Sequence, residues 1–309
     1  MAGILGKRLK WWDGSSWRPN PNMPNILVVP AANQATVTAI TSIPASVNNG
    51  DAFTISGTVK TTNGVSVTNG SVQIQRSNNG GASWSNTGSS YSVTAGTFSV
   101  GSLTETGGYW YKAVYTPGTG NNASESGASY ITCWTLTTFV KTYAATASRS
   151  YTGGGSPRTN TTHLYQGYGG STYGVERSLI LFPTQVGTDL ASAYDITGLE
   201  VYMGCYWWSK NDGGTAVFRT HSNYSGVPGT WGGVLNLSGT VSVGWTTKSG
   251  AKWCDISPLK GVPSDWSSTK RGIALYVDST DPEYYGYFAA YGESPAPILR
   301  VTYRQWVAQ

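Results

Sequence analysis

The chain contains the stretch Asn48-Asn49-Gly50-Asp51-Ala52-Phe53-Thr54-Ile55-Ser56-Gly57-Thr58-Val59, in which a turn signal leads directly into an alternating strand. Phe53, Ile55 and Val59 alternate with polar residues, as expected for a strand with one face against a core. The alternation recurs at Val72 and Ile74, at Tyr91 and Val93, at Phe98 and Val100, and at Tyr109, Tyr111, Ala113 and Tyr115. Because Asn-Gly and other glycine-rich turns separate these strands, the sequence predicts a β-sandwich over residues 34–130.

The composition favours strands over helices. Only 11% of the 309 residues are charged, against roughly 25% in an average soluble domain. Hydrophobic residues make up 39%, which is sufficient for a core, and the chain contains 40 glycines. Gly, Ser, Thr and Asn disfavour helices because they lose more backbone entropy or compete for the hydrogen bonds of the helix. We therefore expect an all-β protein, with room for two domains and extensions.

A second all-β unit is predicted over residues 138–304, followed by a C-terminal tail at 305–309. Its strand candidates contain near-continuous apolar runs, which indicate sheets that are covered on both faces. The candidates are residues 178–182, 199–203, 215–219, 272–277 and 298–303.

Residues 1–33 are predicted to form an extended N-terminal docking arm. Lys10 to Arg18 has the pattern of a small hairpin with Asp13-Gly14 at its turn, and the prolines that follow keep the chain extended. Tryptophans on so short a segment need a partner surface, which is either the following domain or a neighbouring protein in an assembly. The residues assigned to docking are Lys10, Trp11, Trp12, Trp17 and Arg18.

Charge, hydropathy and cysteine content exclude several classes of protein. The net charge is +5, and the basic residues cluster near the N-terminus without recurring as a stripe, which disfavours a nucleic-acid partner. No apolar run reaches the roughly 18 residues of a membrane span, and the N-terminus lacks the order of a signal peptide. The 3 cysteines are widely spaced and do not indicate a disulfide framework. We expect a protein made in a reducing cytoplasm, without a membrane span.

The residue types that catalysis requires are scarce. Neither histidine, His163 nor His221, lies near a Gly-x-Ser-x-Gly motif, which the chain lacks. Zinc-ligand spacing and phosphate-binding loops are also absent from the sequence. One acidic cluster, Asp278, Asp281 and Glu283, is interpreted as a solvated loop, a sugar- or calcium-binding loop, or a catalytic pair. We expect no enzyme activity and no cofactor, with calcium at this cluster as the metal candidate.

The aromatic residues are mostly of the two types that combine an apolar body with a polar atom. The chain has 13 Trp and 20 Tyr but only 6 Phe. Such rings stack on the apolar faces of sugars while neighbouring polar groups bond the hydroxyls; alternatively, they fill a core or an inter-subunit contact. The candidate carbohydrate-binding residues are Trp207, Trp208, Asn211, Asp212, Trp231, Tyr284, Tyr285 and Tyr287. Because successive strand residues face opposite ways, at most one of Trp207 and Trp208 is expected to reach a ligand.

Both predicted sandwiches resemble known families. Residues 45–59 and 108–115 resemble bacterial immunoglobulin-like domains, which serve as spacers in surface and phage proteins, although the Cys-Trp-Cys trio of antibody domains is absent. The second unit resembles jelly-roll carbohydrate-binding modules of the disaggregatase-related type. The matching residues are 143–147, 176–182, 196–201 and 297–303. This second resemblance implies a jelly-roll β-sandwich that binds polysaccharide.

The order of arm, spacer sandwich and sugar-binding-like sandwich resembles minor tail proteins of actinobacterial, especially mycobacterial, siphophages. Its residue-level link is Trp12-Asp13-Gly14-Ser15-Ser16-Trp17. The resemblance implies a structural virion protein of the phage tail that contacts other tail proteins, forms a homo-oligomer (a trimer or ring), and attaches to host cell-wall glycan. A capsid decoration protein and a glycan-active depolymerase are the alternatives.

Overall fold

The computed structural model describes residues 32–309 except 224, 235 and 269–271, together with the backbone of residues 10–12 and 17–19. The chain divides into two compact units, Met1–Trp134 with Ala308–Gln309, and Thr135–Val307. Strands dominate both units, so the all-β prediction is confirmed. The described helices are two short ones, and no described helix is long and apolar enough to cross a membrane.

The first unit is an immunoglobulin-like β-sandwich. Its strands are β1 (Lys10–Trp12), β2 (Trp17–Pro19), β3 (Thr36–Ser42), β4 (Ser46–Asn48), β5 (Ala52–Thr61), β6 (Ser71–Ser77), β7 (Ser85–Ser92), β8 (Thr97–Thr104), β9 (Tyr109–Thr116), β10 (Ser124–Glu125) and the start of β11 (Ser129–Ala144). One antiparallel sheet has the order β3-β5-β8, and the other has the order β7-β6-β9-β11. Strand β4 adds to β11 in parallel. This three-plus-four arrangement confirms the predicted sandwich.

The alternating residues that predict the first sandwich form its core. The buried members are Phe53, Ile55, Val59, Val72, Ile74, Val93, Phe98, Val100, Tyr111, Ala113 and Tyr115. Gly57 allows close packing here, because a Cβ at this position would overlap the carbonyl oxygen of Ala39 and the ring of Phe98. The strand period of two therefore accounts for which side chains this unit buries.

The second unit contains ten further strands among the described residues. They are β12 (Ala147–Tyr151), β13 (His163–Tyr168), β14 (Val175–Leu181), β15 (Asp195–Trp208), β16 (Gly214–His221), β17 (Ser238–Trp245), β18 (Gly250–Asp255), β19 (Gly272–Leu275), β20 (Gly286–Ala289) and β21 (Ile298–Ala308). Two six-residue helices interrupt them, α1 (Gln185–Leu190) and α2 (Pro263–Ser268).

The strand order of the second unit is that of a jelly roll. Strands β13-β20-β15-β18 form one antiparallel sheet, which we call the front sheet. Strands β14-β19-β16-β17 form the other, the back sheet. Eight consecutive strands thus form two four-stranded sheets, and the chain changes sheet after every strand except between β16 and β17, which confirms the predicted jelly-roll β-sandwich. In addition, β12 extends the back sheet beside β14, and β21 pairs with the first half of β15.

A core of large side chains fills the space between the two sheets of the second unit. Leu164, Phe288 and Cys205 contribute to it from the front sheet, and Ile180, Ile273 and Phe218 contribute from the back sheet. Because side chains alternate along a strand, the residues next to these lie on the outward faces of the two sheets.

Two of the predicted boundaries differ from the structure. Residues 305–308, predicted as a tail, continue strand β21, and residues 308–309 belong to the first unit. The division between the units falls inside β11, between Trp134 and Thr135, so the segment predicted as a connection is itself a strand. Because a continuous strand has no turn residue at its midpoint, the sequence carries no signal for a domain boundary there.

The N-terminal arm contains the predicted hairpin pairing. Lys10 pairs with Pro19, Trp11 with Arg18 and Trp12 with Trp17 in antiparallel register. The turn at Asp13-Gly14 and the side chains assigned to docking lie outside the described residues, and their docking role stays a prediction.

Candidate functional site

Three aromatic residues lie directly opposite one another on three neighbouring strands of the front sheet. Tyr165 of β13 pairs with Tyr287 of β20, and Tyr287 pairs with Trp207 of β15. Leu164 and Phe288, the next residues on two of these strands, point into the core. Tyr165, Tyr287 and Trp207 therefore form a row on the outward face of the front sheet, which we call the aromatic row; Tyr165 is buried there, whereas Tyr287 and Trp207 are partly exposed.

A β-bulge in β15 places Trp207 in this row. Cys205 lies opposite Phe288 and Trp207 lies opposite Tyr287, so Tyr206 is an extra residue between them. Without this extra residue, Trp207 would face the core as Cys205 does. With it, Trp207 is only partly buried and Trp208 is fully buried.

The rings of the row are in contact with one another and with three flanking rings. The centroids of Trp207 and Tyr287 are 5.6 Å apart with an interplanar angle of 21°, and those of Tyr165 and Tyr287 are 5.7 Å apart. The flanking rings are His163, 4.9 Å from Tyr287; Tyr285, 5.8 Å from Trp207; and Tyr206, 5.3 Å from His163. Together they form a continuous aromatic patch that runs across β13, β20 and the end of β15.

Polar groups border the aromatic row at both ends. Beside Trp207, the Lys248 ammonium lies 5.4 Å from the ring centroid and donates a hydrogen bond to Asn211 Oδ1 (2.8 Å). At the other end, Asn160 Nδ2 donates to the hydroxyl of Tyr165 (3.2 Å). Apolar ring surface between hydrogen-bonding groups is the pattern that sugars require, because a pyranose has apolar faces and polar edges.

A buried ion pair supports Tyr165. The Arg158 guanidinium lies 4.3 Å from the ring centroid of Tyr165 and 3.6 Å from that of Tyr173. Its Nε is 3.0 Å from Oε1 of Glu176, whose side chain is completely buried. Burial raises the pKa of Glu176 to about 7, against the opposing effect of Arg158. Arg158 therefore lies between two tyrosine rings and beside a carboxyl group that has no contact with water.

Burial favours the uncharged form of the His163 ring. Burial lowers the pKa of the imidazole, and the nearby Glu293 only partly opposes this effect. Its Nδ1 lies 2.9 Å from Asn160 Nδ2. The ring thus adds an apolar face to the patch without adding a charge.

The prediction that Trp208 binds carbohydrate is wrong. Its side chain is 0% exposed and packs against Trp245 and Phe288, with ring centroids 5.7 and 5.3 Å apart. The bulge at Tyr206 turns it into the core, so no ligand reaches it.

The remaining candidates divide between the patch and other places. Tyr285 and Tyr287 lie in the patch, Asn211 borders it through Lys248, and Asp212 is exposed next to Asn211. Tyr284 lies on the 3-10 turn Pro282–Tyr284, where its carbonyl oxygen accepts a hydrogen bond from Gln166 Nε2 (3.0 Å). Trp231 packs against Tyr151 and Tyr276 on the outward face of the back sheet. It is therefore separate from the aromatic row.

The acidic cluster does not form a calcium site. Glu283 is held by Lys210 Nζ (2.8 Å) and by the hydroxyl of Thr215 (2.7 Å), and the pair with Lys210 lowers its pKa. Asp281 Oδ1 accepts a hydrogen bond from the backbone N–H of Glu283 (2.9 Å). In the described part of the chain, no group of three or more metal-ligating side chains converges. The calcium candidate at Asp278, Asp281 and Glu283 is therefore wrong.

The sequence analysis missed the contribution of β13. His163 and Tyr165 alternate with the buried Leu164, which is the pattern of a half-buried strand. The alternation is short and the segments on both sides are rich in Gly, Ser and Thr, so the strand is not among the candidates. Arg158 had no signal in the sequence, and Tyr206 begins a candidate segment with Trp207 but is not among the assigned residues, because the roles of both depend on the partner strand and on the bulge.

Comparisons with known proteins establish no family. No protein-family model matches the chain, and no curated protein matches it. Among solved structures, it is similar to the chicken CNTN1 FN1-FN3 domains at 9% identity, covering 82% of this chain and 65% of that chain with a TM-score of 0.23. It is also similar to infectious bursal disease virus Gx strain at 13% identity, covering 88% of this chain and 59% of that chain with a TM-score of 0.15. The chain thus spans less than two thirds of either one.

Proposed function

We propose that this chain is a structural phage virion protein, a minor tail protein, whose second unit attaches to glycan on the host cell surface. The N-terminal arm anchors it to other tail proteins, and the immunoglobulin-like sandwich is a spacer. The observation that supports this proposal best is the aromatic row of Tyr165, Tyr287 and Trp207 on the outward face of the front sheet.

The dimensions and chemistry of the row suit a carbohydrate chain. Tyr165 is buried with Arg158 over its ring, so Tyr287 and Trp207 are the accessible rings of the row; on neighbouring strands about 4.8 Å apart, they offer a surface about one sugar ring long. A rigid row on strands also loses little conformational entropy when it binds a ligand. Asn160, Lys248 and Asn211 supply hydrogen-bonding groups at its ends.

Binding is favoured over cleavage at this surface. Glu176 is buried in an ion pair with Arg158, and Glu283 is occupied by Lys210 and Thr215. Glycoside hydrolysis requires two carboxyl groups that both reach the same glycosidic bond, roughly 5 to 10 Å apart, and the completely buried Glu176 does not reach a ligand on this surface. The aromatic row does not need either carboxylate to act on the ligand.

Replacing Trp207 with alanine in the full chain should weaken glycan binding without unfolding the second unit. We expect saturable binding of the unaltered protein to purified mycobacterial cell walls and an affinity at least about tenfold weaker for Trp207→Ala, because stacking on an indole is worth more than 1 kcal/mol. Pull-down with quantified bound fraction measures this, and circular dichroism checks the fold.

Trp110→Ala is the matched control, because Trp110 is 38% exposed on the first unit. It should bind as the unaltered protein does. Equal binding by the Trp207→Ala and Trp110→Ala variants would contradict the role of the row. Absence of binding by the unaltered protein would contradict attachment to glycan.

The location in the virion has its own test. We expect quantitative mass spectrometry of purified particles to detect a few to tens of copies of this chain per virion, the stoichiometry of a tail component. Hundreds of copies would instead indicate a capsid decoration protein, and absence from the particles would rule out a virion protein.

A further inference from the structure

The outward face of the back sheet carries three arginines without a carboxylate partner. Arg149 of β12, Arg177 of β14 and Arg219 of β16 lie on this face, because their neighbours along each strand point into the core or toward the other sheet. None of the three forms an ion pair with a carboxylate in the described part of the chain.

This lack of partners is specific to the back sheet. Elsewhere in the described chain, Arg76, Arg158, Arg300 and Arg304 each pair with a carboxylate. Two of these pairs are bidentate, Arg300 with Glu200 and Arg304 with Asp195. An arginine of this protein thus has a carboxylate partner on other surfaces but not on this one.

Arg177 and Arg219 converge on a single aromatic ring. Their guanidinium carbons lie 5.2 and 5.3 Å from the ring centroid of Tyr276. Arg177 is also 4.9 Å from the ring of Trp231, which in turn lies 5.4 Å from Tyr276. Two positive charges and two adjacent rings therefore share one small area of the surface.

Each of these two arginines has a buried Nε–H donor without a hydrogen-bond acceptor. Arg177 Nη2 donates to the carbonyl oxygen of Gly153 (2.8 Å), but the Nε atoms of Arg177 and Arg219 are buried without a hydrogen-bond partner among the described residues. A buried N–H without an acceptor is unfavourable, and a guanidinium without a carboxylate partner binds an oxyanion through charge-assisted hydrogen bonds. Asp278 follows Tyr276 by two residues, yet it is exposed and pairs with neither arginine.

We propose that Arg177, Arg219, Tyr276 and Trp231 form a second ligand site, which binds an oxyanion carried by a polysaccharide. The planar guanidinium recognises carboxylate and phosphate oxygens in a fixed geometry, and the two rings accept the apolar face of the sugar that carries the anion. This inference rests on the proposed function only in that the ligand is a glycan. The site itself is separate from the aromatic row and adds a preference for acidic over neutral chains.

Isothermal titration of the full chain with three probes tests this site. The probes are a galacturonic acid oligosaccharide, a neutral oligosaccharide of equal length, and a mannose-6-phosphate oligosaccharide. We expect the two acidic probes to bind at least about tenfold more tightly than the neutral one and to weaken as salt rises. The stronger of the two acidic probes identifies the source of the oxyanion.

Arg177→Gln and Arg219→Gln should each remove the preference for acidic probes, and Arg219→Lys should retain part of it because the charge remains. Arg300→Gln is the control, since it removes an arginine that already has a partner. Equal binding of acidic and neutral probes by the unaltered protein would overturn the proposal. So would an acidic preference that survives both Gln substitutions, or single-stranded DNA binding as tightly as the acidic glycan.

The aromatic row and the arginine site can be refuted independently of each other. Trp207→Ala should leave the acidic preference intact, because Trp207 lies on the front sheet. If neutral and acidic binding are both lost in Trp207→Ala, the arginine site is refuted while the row stands. If acidic binding persists and Trp207 has no effect on any probe, the row is refuted while the arginine site stands.

Discussion

Replacing Trp208 with alanine is expected to lower the free energy of unfolding of the second unit by about 3–5 kcal/mol. Trp208 is completely buried between the two sheets, where its ring contacts Trp245 and Phe288. A Cβ at either Gly214 or Gly286 would overlap this ring, so both strands approach it closely and have no side chain to fill the space it leaves. The resulting cavity adds its own cost to the lost burial.

The indole N–H of Trp208 is buried without a hydrogen-bond partner in the described structure. Its removal relieves an unpaired donor, which places the expected loss toward the lower end of that range. Urea denaturation followed by tryptophan fluorescence measures the change in free energy of unfolding.

Trp207→Ala is the matched comparison, because it removes the same side chain one residue earlier. Trp207 is only partly buried, and we expect a loss of about 1 kcal/mol or less for it. A loss in Trp207→Ala equal to that in Trp208→Ala would show that the bulge at Tyr206 does not separate the two side chains.

The second large effect is a pair of opposing pH dependences in the stability of the second unit. Burial raises the pKa of Glu176 to about 7 and lowers the pKa of His221 to about 4. For Glu176, the folded state binds a proton more readily than the unfolded state, so its stabilisation is present below about pH 4.5 and is lost as pH rises to about 7. For His221, the unfolded state binds the proton more readily, so stability increases as pH rises from about 4 to 6.5.

Each dependence amounts to about 3 kcal/mol, and the two cancel over most of their shared window. We therefore expect a stability that varies little between pH 4.5 and 7 in the unaltered protein. Glu176→Gln should leave a stability that rises with pH across this window, and His221→Gln should leave one that falls.

Urea denaturation at half-unit intervals from pH 4.5 to 7.5 measures these slopes. The lowered pKa of His163, like that of His221, makes stability rise with pH, and it does so in every variant. The aspartates with lowered pKa, Asp189, Asp195 and Asp255, act below the window, because their stabilisation is complete above the unfolded pKa. Parallel slopes in the two variants would contradict the assigned pKa directions. The slope, rather than the absolute stability, is the readout, since either substitution alters packing as well.

The sequence predicted the first sandwich in detail because its strands bury one face each. The alternation at Phe53, Ile55 and Val59 recurs in strand after strand, and each strand is bounded by a glycine-rich turn. At these positions, the period of the strand and the packing of the core both require an apolar side chain. The jelly roll was less visible: its strands β13 and β20 are short, and the chain around them is rich in turn residues.

The aromatic row required information from three separate segments. Tyr285, Tyr287 and Trp207 were candidates on composition alone, whereas Tyr165 joins them only because β20 pairs with β13 on one side and β15 on the other. The pairing of Arg177 and Arg219 around Tyr276 has the same origin, since the three residues are on different strands of the back sheet or directly follow one. Residues distant in the chain become neighbours through strand order, which no local period encodes.

Trp207 and Trp208 show what the sequence determines and what only the tertiary structure determines. Period-two alternation establishes from sequence that these adjacent tryptophans face opposite sides of a strand. Which one faces outward depends on the extra residue at Tyr206, and that bulge arises from how β15 pairs with β20. The physical reason is that a one-residue change in register exchanges the two faces of a strand, and register is determined by the partner strand.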